Sequence, residues 1–235
     1  MIRKTVFVLL LVVMLGTTSI FGQQAGRFSI GGRAGLGLGF HGSGQMEGIF
    51  RGELIDAGLP ATINIEKKML PNVNLAIFGA YTFHNRFAIQ TELNFNINQG
   101  YKLEAYYQGQ TIEAKAYYSS LDIPILLKVN IIDRPLVFGA LAGPHFSFPL
   151  GDAAVDISVP GSPVEKWKED IDNITIGLTA GIFAGYPLGP GRIIGDLRFA
   201  FDFNKLKVIE RETRMKFDGM HRRGLVFSVG YEYSF

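Results

Sequence analysis

The chain has 235 residues, of which 47% are hydrophobic and 19% charged, with 19 Phe, 9 Tyr and 29 Gly. That length suits one domain or one barrel, and the composition is more natural for strands facing lipid than for a soluble domain. The formal charge of +2 comes from Arg3 and Lys4, and beyond residue 22 the 21 basic and 21 acidic side chains cancel, so no general nucleic-acid footprint is expected. Without cysteine there is no disulfide framework, no thiolate metal site and no lipid on an N-terminal Cys.

Basic Met1-Ile2-Arg3-Lys4, apolar Val6 to Leu15 and the small-residue run Gly16 to Gly22 read as an export signal. Cleavage is expected after Gly22, leaving residues 23–235 as a single barrel domain. An uncleaved anchor needs roughly twenty apolar residues, and Gly16-Thr17-Thr18-Ser19 interrupts the run first. No later segment approaches that length, so membrane insertion must use strands that close on themselves to satisfy their backbone.

The remainder alternates with a period of two in segments of about ten residues, the pattern of strands with different solvents on their faces. The first, about 27–40, sets Phe28, Ile30, Ala34, Leu36, Leu38 and Phe40 against Ser29, Gly31, Arg33, Gly35, Gly37 and Gly39. The second, about 72–83, turns Val73, Leu75, Ile77, Tyr81 and Phe83 outward. The third, about 87–98, turns Phe87, Ile89, Leu93, Phe95 and Ile97 outward and Gln90, Glu92, Asn94, Asn96 and Asn98 inward. The fourth, about 117–131, alternates Leu121, Ile123, Ile125, Leu127, Val129 and Ile131 with Ser120, Asp122, Pro124, Lys128 and Asn130. Further strands are expected over about 136–148 and 173–186. The seventh, about 192–204, places Arg192, Asp196, Arg198, Asp202 and Asn204 inward against Ile193, Leu197, Phe199, Phe201 and Phe203. The eighth, 224–235, places Leu225, Phe227, Val229, Tyr231, Tyr233 and Phe235 outward against Gly224, Ser228, Gly230, Glu232 and Ser234.

The connections 84–86, 132–135 and 187–191 are short; those at about 41–71, 99–116, 149–172 and 205–223 are long. Strict alternation of this kind predicts an all-β fold, an eight-stranded antiparallel up-and-down transmembrane barrel with both chain ends at the short-turn, periplasmic end. Phe28, Phe83, Phe87, Tyr186, Tyr233 and Phe235 would form a girdle there. Brief alternation in 61–66 and 153–159 leaves a ten-stranded count as the alternative, and 101–118 could extend a hairpin outward.

Ser120-Leu-Asp-Ile-Pro-Ile-Leu-Leu-Lys128, then Phe138-Gly-Ala-Leu-Ala-Gly-Pro144 and the aromatic last strand together resemble the outer-membrane β-barrel domain family, which includes PorT-like and OmpA/OmpX-like proteins. The resemblance covers essentially the whole chain after the signal and implies a bacterial outer-membrane location. Phe227, Val229, Tyr231, Tyr233 and Phe235 resemble the assembly signal read by the outer-membrane assembly machinery, to which such a strand can offer its edge.

An eight-stranded barrel is just wide enough to be filled by side chains. The expected lumen residues Arg33, Glu92, Asp122, Lys128, Asp196, Arg198, Asp202 and Glu232 therefore read as a plug of paired charges. On this reading the protein is a non-enzymatic structural or surface-interaction barrel, expected as a monomer among lipid, with its loops open to an extracellular ligand and no cofactor or metal. The alternatives are a narrow channel or small-solute transporter, or a lipid A-modifying enzyme. The last rests on His145-Phe146-Ser147, which places a base and a hydroxyl on one strand face; both face the lumen in this register. His41, His84 and His221 stand singly in expected loops or turns. Trp167, in Lys166-Trp-Lys-Glu-Asp170, is expected in a short loop helix. Gly-Leu-Gly-Leu-Gly at 35–39 is explained by small inward positions, since no helix follows it. A lipocalin-like carrier would put its apolar row inward.

Overall fold

The computed structural model describes residues 27–40, 44–56, 58–60, 62–84, 86–132, 136–158, 165–171, 173–209, 216–218 and 221–235. The expected signal segment and its cleavage site lie outside the described residues. The elements are β1 (Arg27–Gly39), α1 (Gly44–Asp56), β2 (Ile65–His84), β3 (Phe87–Tyr107), β4 (Gln110–Ile132), β5 (Val137–Ser158), β6 (Glu165–Ile171), β7 (Thr175–Leu188), β8 (Gly191–Asp202), β9 (Lys207–Ile209), β10 (Lys216–Asp218) and β11 (Arg223–Ser234).

Strands β1, β2, β3, β4, β5, β7, β8 and β11 form a closed antiparallel ring, with β5 passing to β7 and β11 returning to β1. The closing register runs from Ser29 opposite Ser234 to Gly39 opposite Gly224. Closure leaves the ring no free edge, which is the condition for a sheet to stand in lipid. The eight-stranded barrel expected from alternation is the architecture that forms. Among the described residues the pieces near 61–66 and 153–159 add no spanning strand: Ile65 and Glu66 begin β2, and 153–158 lie in β5.

Alternation sets the two faces. On β11, Phe227 is 59% and Val229 49% exposed, whereas Ser228 and Glu232 are each 1% exposed. The same contrast holds on β4, where Ile125, Leu127 and Ile131 are exposed and Ser120, Asp122 and Lys128 buried. An exterior of large apolar side chains would cost about 25 cal/mol per Å2 in water, so the ring's outer surface belongs in an apolar medium.

Four ring strands run past this apolar band, and on β3 and β4 the polarity inverts as they do so. Along β4 towards its start, the inward residues change from Asp122 and Ser120 to Tyr118, Ala116, Ala114 and Ile112, all buried. The other face changes from Ile123 and Leu121 to Tyr117, Lys115 and Glu113. On β3 a bulge between Asn96 and Gln99 shifts the register, with Asn98 at φ 60°. One extra residue flips every later side chain to the other face. Asn98, expected inward, is therefore exposed, and Gln99 takes the buried place, followed by Tyr101, Leu103 and Ala105.

The resulting apolar layer is capped by α1. Phe50 and Leu54, one helical turn apart, are 2% and 4% exposed and join Ile63, Tyr101, Leu103, Ala105, Ile112 and Leu206 in one core. Arg51 donates to the Ile63 carbonyl oxygen at 3.0 Å and fastens the helix to the chain that follows. The long connection expected over 41–71 thus contains a helix. β6 pairs with the far part of β5, from Ala153 opposite Glu169 to Ile157 opposite Glu165, and continues to β9 and β10. Trp167 lies in this strand, opposite Val155. The expectation of a loop helix there fails because the alternating segment finds a partner edge on β5.

Candidate functional site

The ring's alternation directs its charged residues inward, where they meet at three heights. Nearest the chain ends, Glu232 on β11 accepts from Ser29 Oγ at 2.7 Å and pairs with Lys128 at 3.4 Å and Arg192 at 2.6 Å. The Lys128 ammonium also lies 4.6 Å from the centroid of the Phe183 ring, a favourable place for a cation, within a small apolar patch of Leu126, Val137, Leu141 and Phe183.

At mid-height, Glu92 on β3 pairs with Arg33 of β1 at 2.6 Å and Arg198 of β8 at 2.7 Å. Asp196 pairs with both arginines, at 3.1 and 2.9 Å, and accepts from Ser228 Oγ at 2.7 Å. Gln90 donates to Glu92 as well. These bonds cross the lumen and join opposite walls.

At the loop end the organising residue is Arg222, which is 3% exposed. Its guanidinium reaches Asp122 on β4 at 2.6 Å and Asp202 at the end of β8 at 3.0 Å, and donates to Ser147 Oγ at 3.3 Å. Asp202 also accepts from Thr175 Oγ1 at 2.5 Å, and Asp122 accepts from Asn96 at 2.7 Å. A cavity of about 40 Å3 between this level and the middle one is lined by Arg33, Asn72, Asn96, Gln99, Asp122, Arg198 and Arg222 among others. That is room for only a few water molecules.

All eight residues expected in the lumen are buried and lie in these groups. Arg222, expected in a loop, and Arg192, read as inward but left outside the expected network, complete them. Together they oppose five cations, Arg33, Lys128, Arg192, Arg198 and Arg222, to five anions, Glu92, Asp122, Asp196, Asp202 and Glu232.

His145 and Ser147 are each 1% exposed and point into the same loop-end group. His145 Nδ1 lies 3.0 Å from Thr179 Oγ1, and Nε2 lies 2.8 Å from Asp202 Oδ1 and 2.6 Å from Arg222 Nη2. Ser147 is engaged by Arg222 instead of by the imidazole, so the spacing of these two residues forms no nucleophile–base pair. Gly177 faces His145: a Cβ there would stand 2.6 Å from the ring's Cε1. Its glycine makes room for the imidazole against Asp202. His84 stands exposed at a turn, 5.6 Å from the Phe87 ring centroid, and His41 lies outside the described residues. Among the described residues no cluster of His, Asp or Glu is arranged to hold a metal.

Beyond the apolar band the outward face carries its own charge ladder. Lys68 pairs with Glu66 at 2.6 Å, and Glu113 with Lys102 at 3.3 Å and Lys115 at 3.2 Å, while Lys102 also pairs with Glu104. The Lys102 hydrogen bond, then that of the Tyr106 hydroxyl, holds the Glu104 carboxyl below the usual carboxylate range.

An eight-stranded ring with an apolar exterior and a charge-neutral interior is the physical form of a membrane barrel. In sequence, the family described as outer membrane protein beta-barrel domain matches residues 21–208. The chain belongs to this family. Its place is therefore the bacterial outer membrane, and the apolar band is the part that crosses it. Among solved structures, the outer membrane protein OprG from Pseudomonas aeruginosa is 12% identical, with 91% of this chain and 98% of that one covered and a TM-score of 0.52. A major outer membrane protein from Thermus thermophilus is 15% identical over 90% and 100% of the two chains, with a TM-score of 0.46. Neisserial surface protein A is 11% identical over 88% and 97%, with a TM-score of 0.42. The likeness to OprG concerns the fold alone. No curated protein matches the chain in sequence.

Proposed function

We propose that this family member is a closed outer-membrane barrel that works through its loop end, with its chain ends and short turns in the periplasm and the α1-capped end contacting partners outside the cell. The observation that carries this reading is the set of ion pairs joining opposite walls at three heights, above all Arg33–Glu92–Arg198 and Asp122–Arg222–Asp202. Buried charges paired on both sides are costly to separate, so they favour a rigid plug over a solute path. Purified protein that migrates faster unboiled than boiled is expected to show little or no steady conductance in planar bilayers. Large, steady open events from such folded protein would overturn the closed-lumen reading in favour of a narrow channel.

Assembly is the second part of the proposal. Phe227, Val229, Tyr231, Tyr233 and Phe235 form an exposed outward row on the strand that closes the ring, which suits recognition by the outer-membrane assembly machinery before β1 and β11 pair. Removing Phe235 is expected to lower the amount of heat-modifiable barrel in the outer membrane; undiminished insertion would count against this role.

A further inference from the structure

The ion-paired residues of the lumen are carboxylates, arginines and a lysine, types that ordinarily keep their charge between pH 5 and 8. His145 is of the one type that does not. Its Nε2 faces two groups that make opposite demands: Arg222 Nη2 at 2.6 Å can only donate, and Asp202 Oδ1 at 2.8 Å can only accept while ionised. A single ring nitrogen cannot bond both at once. Nδ1 faces Thr179 Oγ1 at 3.0 Å, a hydroxyl that serves in either role.

The distances define one state of this clasp. At 2.6 Å from a guanidinium nitrogen, Nε2 is bare and accepts from Arg222, which places the ring's one proton on Nδ1, donating to Thr179. Arg222 holds Asp202 through Nε at 3.0 Å and Asp122 through Nη1 at 2.6 Å. A second proton reverses the contacts at Nε2. The new N–H donates to Asp202 and turns a cation against the Arg222 cation, while Nδ1–H stays on Thr179, so the ring need not rotate. Charge supports both states. With His145 neutral, the carboxylates of Asp122 and Asp202 face the single guanidinium of Arg222; a proton on His145 balances them. The other side chains around the clasp are Thr175 and Thr179 of β7, Ser147 of β5, Gln99 of β3 and Tyr118 of β4, types that are uncharged over this range. His221, half-buried, adjoins Arg222 in the chain and is the control for the test.

We propose that His145 is a proton-operated switch for the loop end. Neutral, it clasps Arg222; protonated, it takes Asp202 from Arg222 and repels the guanidinium, which keeps Asp122. The movement has a direct outlet in the backbone. The Asp202 amide donates to the Arg222 carbonyl oxygen at 3.1 Å, and the Phe40 amide to that of Arg223 at 2.7 Å. Displacing Arg222 therefore loosens the start of β11 from β8 and β1. The mid-height pairs of Arg33, Glu92, Asp196 and Arg198 contain no histidine and stay closed. The inference deepens the closed-barrel reading and rests on the loop end facing outward, where the pH is that of the medium.

The test uses the full chain, isotope-labelled, folded in detergent micelles and checked by its faster unboiled mobility. Nitrogen shifts of the His145 ring are expected to show a neutral imidazole with its proton on Nδ1 at pH 8 and a doubly protonated ring by pH 5. Over the same interval the hydrogen-exchange protection of the Asp202 and Phe40 amides, corrected for intrinsic rates, should fall roughly tenfold or more. His145→Gln should abolish that fall and His221→Gln should retain it. A ring that carries its proton on Nε2 at pH 8, or stays neutral at pH 5, overturns the proposal even where His145→Gln does not fold. Protection that is constant through ring protonation, or that falls equally in His145→Gln, also overturns it. Conductance is read separately: steady open events at both pH values would sink the closed-lumen reading without touching the ring and amide results.

Discussion

Replacing Arg222 by methionine keeps much of the side chain's bulk and removes the charge that Asp122 and Asp202 share. Breaking a buried ion pair by removing one partner typically costs about 3–5 kcal/mol, because the remaining charge is left uncompensated. Arg222→Met is therefore expected to lower the stability of the barrel by about that amount in urea unfolding from lipid vesicles. Adding Asp122→Asn should recover part of the loss, since the two changes act on one network. A loss below about 1 kcal/mol would mean that the loop-end group contributes no more than an exposed pair. Arg222 was not legible from alternation, because it precedes β11 in a stretch with no strand pattern. A different signal was available. The eight residues expected in the lumen comprise three cations and five anions, and a low-dielectric interior with two uncompensated negative charges is untenable. Charge balance alone calls for two more cations, and Arg192 and Arg222 supply them.

At the scale of elements, the helix and the strand extensions were the least legible. Among the described residues α1 presents two buried apolar anchors to the core, Phe50 and Leu54, and carries Gly48 and Gly52, each of which disfavours a helix. Packing on the inward face of β3 and β4 overrides that weak propensity. The extensions of β3 and β4 do alternate, but with the opposite sense from the membrane part, so a search for outward apolar rows ends where they begin, and that of β2, Ile65-Glu-Lys-Lys-Met69, carries no clear alternation. The bulge at Asn98 compounds this by shifting the period. Two outcomes follow for α1. Phe50→Ala should free the helix, at a cost of about 3–5 kcal/mol for a buried Phe, and be seen as proteolytic cleavage within residues 41–71 at unchanged heat-modifiable mobility. Gly48→Ala and Gly52→Ala, where a Cβ meets nothing within 4 Å, should each slow that cleavage by stabilising the helix by about 0.5–1 kcal/mol. Equal cleavage of all these variants and the parent would show that α1 is not held by its own packing.

For the whole molecule, the ring, its strand order and its two faces were legible because one physical fact governs them: every spanning strand has lipid on one side and, on the other, a packed lumen whose charges come from β1, β3, β4, β8 and β11. The inversion beyond the band now sets the height of the membrane. On β4 the outward apolar row runs from Leu121 to Ile131, ten residue steps or about 33 Å along the strand. At a strand tilt of about 40° this projects to about 25 Å, the height of the apolar band in outer-membrane barrels. Beyond Ser119 the outward residues Tyr117, Lys115 and Glu113 should stand in water. The chain has no cysteine, so single cysteines can report this boundary without background. In protein reconstituted into vesicles, a membrane-impermeant maleimide is expected to label Lys115→Cys readily and Ile123→Cys and Leu127→Cys slowly or not at all, while a lipid-soluble maleimide reaches Ile123→Cys and Leu127→Cys. Detergent unfolding should make all three react alike, which separates burial in lipid from loss of the thiol. Labelling of Ile123→Cys by the impermeant reagent at the rate of Lys115→Cys would place the membrane edge nearer the chain ends, and the β4 band would then be too short to span.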